Sequence, residues 1–182
     1  LIKNNANTNI TGPGLEPPLA LAASTGNQKL VKMIMNARGY DNTASPAYGS
    51  ALAAAASSSN IDIFKTVYQV DYSLSSRQSA LEQAADVASE EIVHYLLGSG
   101  PDLKCDTAFT KAAAKGADKI LDKLWHYSRG AFSQQSKDLS LYTATDFELK
   151  STVKMLLAMG ANPDAEGEEY GNALTAAAYD GT

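Results

Sequence analysis

Cysteine is nearly absent from this chain: Cys105 is the only one in 182 residues. One thiol excludes an internal disulfide and suits a reducing compartment, so an intracellular setting, cytoplasmic or nuclear, is expected. Histidine is almost as scarce, with His94 and His126 alone. One cysteine and two separated histidines cannot assemble a zinc ligand set, so no metal and no other cofactor is expected. No apolar run approaches the ~20 residues that a membrane-spanning helix needs, and no membrane partner is expected. A large charge excess is also missing. The net charge of −5 is mild and argues against a nucleic-acid backbone as the partner. Gly12-Pro13-Gly14 and Gly98-Ser99-Gly100-Pro101 are glycine-rich, but neither follows a strand as a phosphate-binding loop must. Both read as turns, and no small-molecule substrate is expected.

Alanine is abundant, in runs such as Ala53–Ala56, Ala112–Ala114 and Ala176–Ala178 within a chain that is 45% hydrophobic. It is the best helix former and lets helices approach closely, but each residue buries little surface. Thin stacked layers suit that composition better than one thick core. The stretch Pro18–Gly39 reads as two short helices. Leu19, Ala22 and Ala23 mark a face of the first, Gly26 closes it, and Leu30, Val31, Ile34 and Met35 stripe the second. The Leu19 position returns at Leu52, Leu81, Phe109, Leu141 and Leu174, at intervals of 33, 29, 28, 32 and 33. The doublet Leu30-Val31 returns as Ile63-Phe64, Ile92-Val93, Ile120-Leu121 and Thr152-Val153 at the first four of those intervals. Length therefore varies between the units and not inside them, as loops of a stacked array do.

The closing glycine is kept at Gly26, Gly116 and Gly181 but is Ser59, Ala88 and Glu148 elsewhere, and those three turns are expected to be strained or built differently. Ser50, Ser79, Thr107 and Asn172 stand two residues ahead of the leucine position, where they are expected to cap helices of about two turns. The polar stretch Phe132–Asp138 matches the pattern poorly and is expected to form a longer, mobile loop.

The repeated residues resemble the ankyrin repeat, with its T-P-L-H-x-A-A-x-x-G opening, its I-V-x-x-L-L doublet and its G-A-D-V-N hairpin start. Met159-Gly160-Ala161-Asn162-Pro163-Asp164 is similar to that hairpin start. Tyr48-Gly49-Ser50-Ala51-Leu52 and Tyr170-Gly171-Asn172-Ala173-Leu174 resemble the Asn/Ser-Ala-Leu variant of fungal arrays, which often form the sensor end of signalling NTPases. The resemblance implies an all-α, ankyrin-type solenoid of helix-turn-helix repeats with hairpin-like loops. It divides one domain, 1–182, into repeats at 7–40, 41–71, 72–100, 101–130 and 131–160, a partial repeat at 161–182, and a 1–6 tail from a preceding unit. The family's histidine after the leucine is replaced throughout, by Ala20, Ala53, Glu82, Thr110, Tyr142 and Thr175. Its loop-tying hydrogen bonds must be lost or supplied otherwise. The chain opens on Leu1, not Met, and is expected to be an interior piece of a longer array.

Catalysis has little to start from. Lys104 beside Cys105 would lower a thiol pKa, but no motif places a histidine there. Glu90–His94 and Asp122–His126 are four apart, so each pair meets on a helix, and without a nucleophile each reads as a solvated pair. The resemblance implies instead a non-catalytic scaffold that binds a partner protein in a concave groove of hairpin loops and first helices. The residues expected to touch the partner are Tyr40, Tyr72, Arg77, Asp86 and Val87, then Lys115, Asp146, Phe147, Tyr170 and Tyr179. Val87 and Phe147 stand out as apolar where solvent favours polar side chains. From Pro101 to Lys137 seven bases face four acids, a net of +3, while Asp164, Glu166, Glu168, Glu169 and Asp180 give −5 after Ala161. The acidic hairpin would suit a basic segment of the partner. The alternatives are a spacer or self-association segment of a larger signalling protein, and an enzyme or small-ligand domain on the same scaffold.

Overall fold

The computed structural model describes residues 8, 16–37, 46–68, 73–100, 102–165 and 171–180, without the side chains of 46–48, 176, 177, 179 and 180. Among the described residues there are eleven helices and no strand, in two compact units, Leu1–Leu103 and Lys104–Thr182. The first unit holds α1 (Pro18–Ser24), α2 (Gln28–Met35), α3 (Pro46–Ser57), α4 (Ile61–Val67), α5 (Leu74–Asp86) and α6 (Glu90–Gly98). Each first helix packs on its own second helix; α3 lies between α1 and α5, and α4 between α2 and α6. The second unit holds α7 (Asp106–Ala114), α8 (Asp118–Tyr127), α9 (Gln134–Asp146), α10 (Lys150–Ala158) and α11 (Ala173–Asp180). Here α9 lies between α7 and α11, and α8 packs on α10.

The repeated residues build this packing. Leu19, Leu52, Leu81, Phe109 and Leu141 are buried, as are the alanine pairs that follow each of the first four. In the fifth pair Ala144 and Thr145 are buried, and Thr145 Oγ1 donates to Leu141 O at 2.8 Å. Both residues of the Ile63, Ile92 and Ile120 doublets are fully enclosed. Each such aliphatic side chain contributes about 1.5–3 kcal/mol by leaving water. Thr152 is buried at a doublet position because its Oγ1 donates to Asp118 Oδ1 at 2.6 Å, leaving no polar atom unsatisfied. Leu174 is the exception. Among the described residues no second helix pairs with α11, and Leu174 is exposed.

The turns inside the units share one left-handed residue whatever its identity: Gly26 (φ 74°), Ser59 (54°), Ala88 (54°), Gly116 (63°) and Glu148 (55°). The three non-glycine turns are thus strained, as expected, and keep the same shape as the glycine ones. Gly181 lies outside the described residues.

The helix starts correct two expectations. First, α3 begins at Pro46 and α5 at Leu74, so Ser50 and Ser79 are inside helices, and Thr107 falls in the first turn of α7. Proline is pre-set for an opening helical turn, and Ser73 accepts from Ser76 N–H at 3.2 Å, so these helices start a turn or more earlier. Asn172 does cap, accepting from Thr175 N–H at 2.8 Å. Second, Phe132–Asp138 is not a loop. Ser133 caps α9, which is helical from Gln134, and Phe132 is buried with its ring 4.2 Å from that of Phe109 and stacked on Trp125. The polar side chains of the stretch face solvent and a neighbouring helix, and one aromatic anchors it.

Candidate functional site

In each unit the first helices present a stripe of three rows, two residues before, two after and six after the leucine position. The first row is Pro17, Ser50, Ser79, Thr107, Leu139 and Asn172. The second is Leu21, Ala54, Gln83, Lys111 and Thr143, and the third Thr25, Ser58, Val87, Lys115 and Phe147. None of these residues is buried, in contrast to the leucine positions between them other than Leu174. Spacing by four keeps the rows on one broad face of each helix. Eight large apolar side chains are exposed among the described residues, and four of them stand on these rows: Leu21, Leu139, Val87 and Phe147. Phe147 is 58% exposed and Leu139 48%. The small hydroxyls of the third row turn inward instead. Thr25 Oγ1 donates to Leu21 O at 3.0 Å and Ser58 Oγ to Ala55 O at 2.8 Å.

The second unit, taken by itself, has a cleft on its first-helix face. Between α7 and α9 runs an open cleft of about 270 Å³, walled by Thr107, Thr110 and Lys111 on one side and Gln135, Ser136 and Leu139 on the other. Asp106 also lines it and explains why the helices sit this way. Its Oδ1 accepts from Ser133 N–H at 3.1 Å, Ser133 Oγ at 3.0 Å and Ser136 Oγ at 2.7 Å, tying the start of α7 to the start of α9. Burial pushes the Asp106 carboxyl up, but the hydrogen bonds from Ser136 and Ser133 outweigh it and hold the group below the usual carboxylate value. Further along, Asp138 Oδ1 accepts from Asn162 N–H at 2.7 Å, and Gln134 Nε2 donates to Gly160 O at 3.0 Å. These bonds tie the start of α9 to the turn that follows α10.

Of the residues expected to meet a partner, Val87, Lys115 and Phe147 are exposed on the third row. Asp86 and Asp146 precede it and are half-buried. Arg77 is half-buried with Nε and Nη2 enclosed and without a hydrogen-bond partner, its guanidinium close to Gly100. Tyr40, Tyr72 and Tyr170 lie outside the described residues, as does the side chain of Tyr179 on α11. Asp164 is exposed; Glu166, Glu168 and Glu169 lie outside. Leu139 and the cleft were not among the expected residues. The signal was present, since Leu139 is the one large aliphatic in a row otherwise made of Pro17, Ser50, Ser79, Thr107 and Asn172, but that row reads as caps.

The chemistry-bearing residues stand apart. Cys105 is buried, and burial pushes its thiol up; a hydrogen bond with Ser128 opposes this and Asp106 adds to it. Lys104 does not activate it. His126 Nδ1 lies 2.8 Å from Asp122 O and 3.4 Å from Asp122 Oδ1, with both residues exposed, and His94 is exposed too. Among the described residues no group of three His, Cys, Asp or Glu could hold a metal ion, and no helix is long and apolar enough to cross a membrane.

No protein-family model and no curated protein matches the chain. Among solved structures 119 chains do. One is the human ASB11 ankyrin repeat domain, 22% identical with a TM-score of 0.67, over 88% of this chain and 76% of that one. The likeness establishes the fold: all-α helix pairs of the ankyrin-repeat type.

Proposed function

We propose that this chain, which has the ankyrin-repeat fold, is a non-catalytic module that binds a partner protein on the exposed face of its first helices and the loops ahead of them. That fold commonly mediates protein–protein interaction. The observation that carries the proposal is a pair of large apolar side chains on the exposed first-helix rows of each unit, Leu21 and Val87 in the first and Leu139 and Phe147 in the second, where packing does not require them. Within each unit a preformed face of short helices limits the ordering cost of association. The ten residues named from the sequence belong to this surface, with Leu21 and Leu139 added. On this reading the repeats at 7–40, 41–71, 72–100, 101–130 and 131–160, with a partial repeat at 161–182, make up a single ankyrin-type domain in an intracellular setting. A basic segment of the partner faces the acidic stretch from Asp164 to Glu169.

The test is affinity capture from the source lysate with the intact chain and two sets of variants. Val87→Asp with Phe147→Asp should lose the captured partner while helicity is unchanged. His94→Ala with Lys123→Ala, on second helices, should keep it. Equal loss from both sets would defeat the assignment. A chain that captures nothing but itself, seen as a larger mass by light scattering, would favour the self-association alternative.

A further inference from the structure

Three polar head groups on the cleft between α7 and α9 stand without a partner. Thr107 and Lys111 on α7 and Gln135 on α9 line it, and none of these side chains makes a hydrogen bond or an ion pair among the described residues. The other polar groups of the lining are committed. Thr110 Oγ1 donates to Asp106 O at 3.1 Å, and Asp106 Oδ1 accepts from Ser136 Oγ and from the N–H and Oγ of Ser133. Of the lining residues Lys111 is the only cation and is half-buried, and Leu139 is the only large apolar side chain. At about 270 Å³ the cleft is smaller than the ~300–1,000 Å³ that usually encloses a small molecule. It has room for a side chain reaching in from the surface of a partner.

We infer that the α7–α9 cleft receives one acidic side chain of the partner protein, with its carboxylate on Lys111 and the free Gln135 and Thr107 heads and its methylenes against Leu139. The inference rests on the protein-binding reading above and names the chemistry of the partner at one point on the second unit. Charge selects the class of side chain. An ammonium, a side-chain amide and a hydroxyl can all donate to a carboxylate, and the bond from the ammonium is about twice as strong as one between neutral groups. A single lysine matches a single negative charge. A phosphate carries about −1.5 to −2 near neutral pH, and it would meet the ionised Asp106 with only Lys111 to offset both. A cationic side chain would be repelled by Lys111. A purely aliphatic one would cover the three heads and leave them without water or partner.

The experiment is selection of short random peptides displayed on phage against the full chain, followed by fluorescence anisotropy of the enriched peptides made with amidated ends. Each should hold an Asp or Glu whose change to Asn or Gln weakens binding about tenfold, the effect of losing one well-placed interface contact. Lys111→Gln, which keeps most of the stem, should weaken it by a similar factor. The two changes together should cost no more than either alone, because a shared contact is lost only once. His94→Ala should leave affinity unchanged, and circular dichroism should show full helicity in every variant. Losses that multiply, or peptides that bind without an acid, would overturn the inference while leaving a binding module elsewhere on the face. Tighter binding when phosphoserine replaces the acid would make the cleft a phosphate site and would overturn it too. Failure to enrich any peptide would count against the binding reading as well.

Discussion

Ala88 tests why the turns inside the repeats keep one shape. It lies between α5 and α6 with φ 54°, close to the 63° of Gly116 at the equivalent turn. Its N–H donates to Ala85 O at 3.1 Å and the next residue, Ser89, donates to Ala84 O at 2.8 Å, so the turn satisfies carbonyls at the end of α5. A Cβ in the left-handed region costs about 1–2 kcal/mol. Glycine removes that cost and returns roughly 0.5–1 kcal/mol through the greater freedom of the unfolded chain. The methyl of Ala88 is exposed, so little packing is lost with it. Ala88→Gly should therefore stabilise the protein by about 0.5–1 kcal/mol, raising the melting temperature by ~1–4 °C for a chain of this size. In an ordinary helical position the same change has the opposite sign. The reverse substitution provides the control. At Gly26 an added Cβ meets nothing within 4 Å, so Gly26→Ala should cost only the backbone difference. At Gly116 the Cβ would lie 3.1 Å from Leu149 Cδ2, so Gly116→Ala should cost more. Urea titrations followed by circular dichroism would rank the three variants. A destabilised Ala88→Gly would refute the reasoning, because it would mean that the left-handed residue carries no strain.

Asp106→Ala should destabilise the second unit by about 1–2 kcal/mol through loss of the bonds to Ser133 and Ser136, with faster amide exchange at the start of α9; unchanged exchange there would mean that α9 starts without the tie. Because the folded-state carboxyl sits below its unfolded value, this contribution is present above about pH 4 and fades as pH falls through the folded pKa, so the variant and the parent should converge in acid. Phe132→Ala should cost about 3–5 kcal/mol if its ring is core, against almost nothing for a side chain on a loose loop, and thermal melts distinguish the two. If the Asp164–Glu169 stretch steers a basic segment, association should slow as salt rises and slow further in Glu168→Lys with Glu169→Lys; stopped-flow rates indifferent to salt would remove that role.

Leu19, the alanine pairs and the second-helix doublets were legible in the sequence because they are local facts. Apolar residues at helical spacing select a helix and its buried face before any neighbour is known, and their recurrence selects the stacked architecture. The left-handed turn at Ser59, Ala88 and Glu148 was legible for the same reason, since alignment with Gly26 and Gly116 marks the conformation that each residue must adopt. The start of α9 was not. FSQQSKD is polar and lacks a helical apolar stripe; its first turn is held by Asp106, some 27 residues earlier, and by the ring of Phe109. The burial of Cys105 was equally invisible, because what covers it is supplied by packing and not by its flanking residues. The cleft needed both kinds of information: the sequence by itself determined Lys111 on α7 and Leu139 on α9, and only the tertiary structure brought them onto facing walls. Side-chain chemistry and periodicity are written along one segment, whereas the partners of a cap, a cleft wall or a buried thiol come from segments that meet only after the chain has folded.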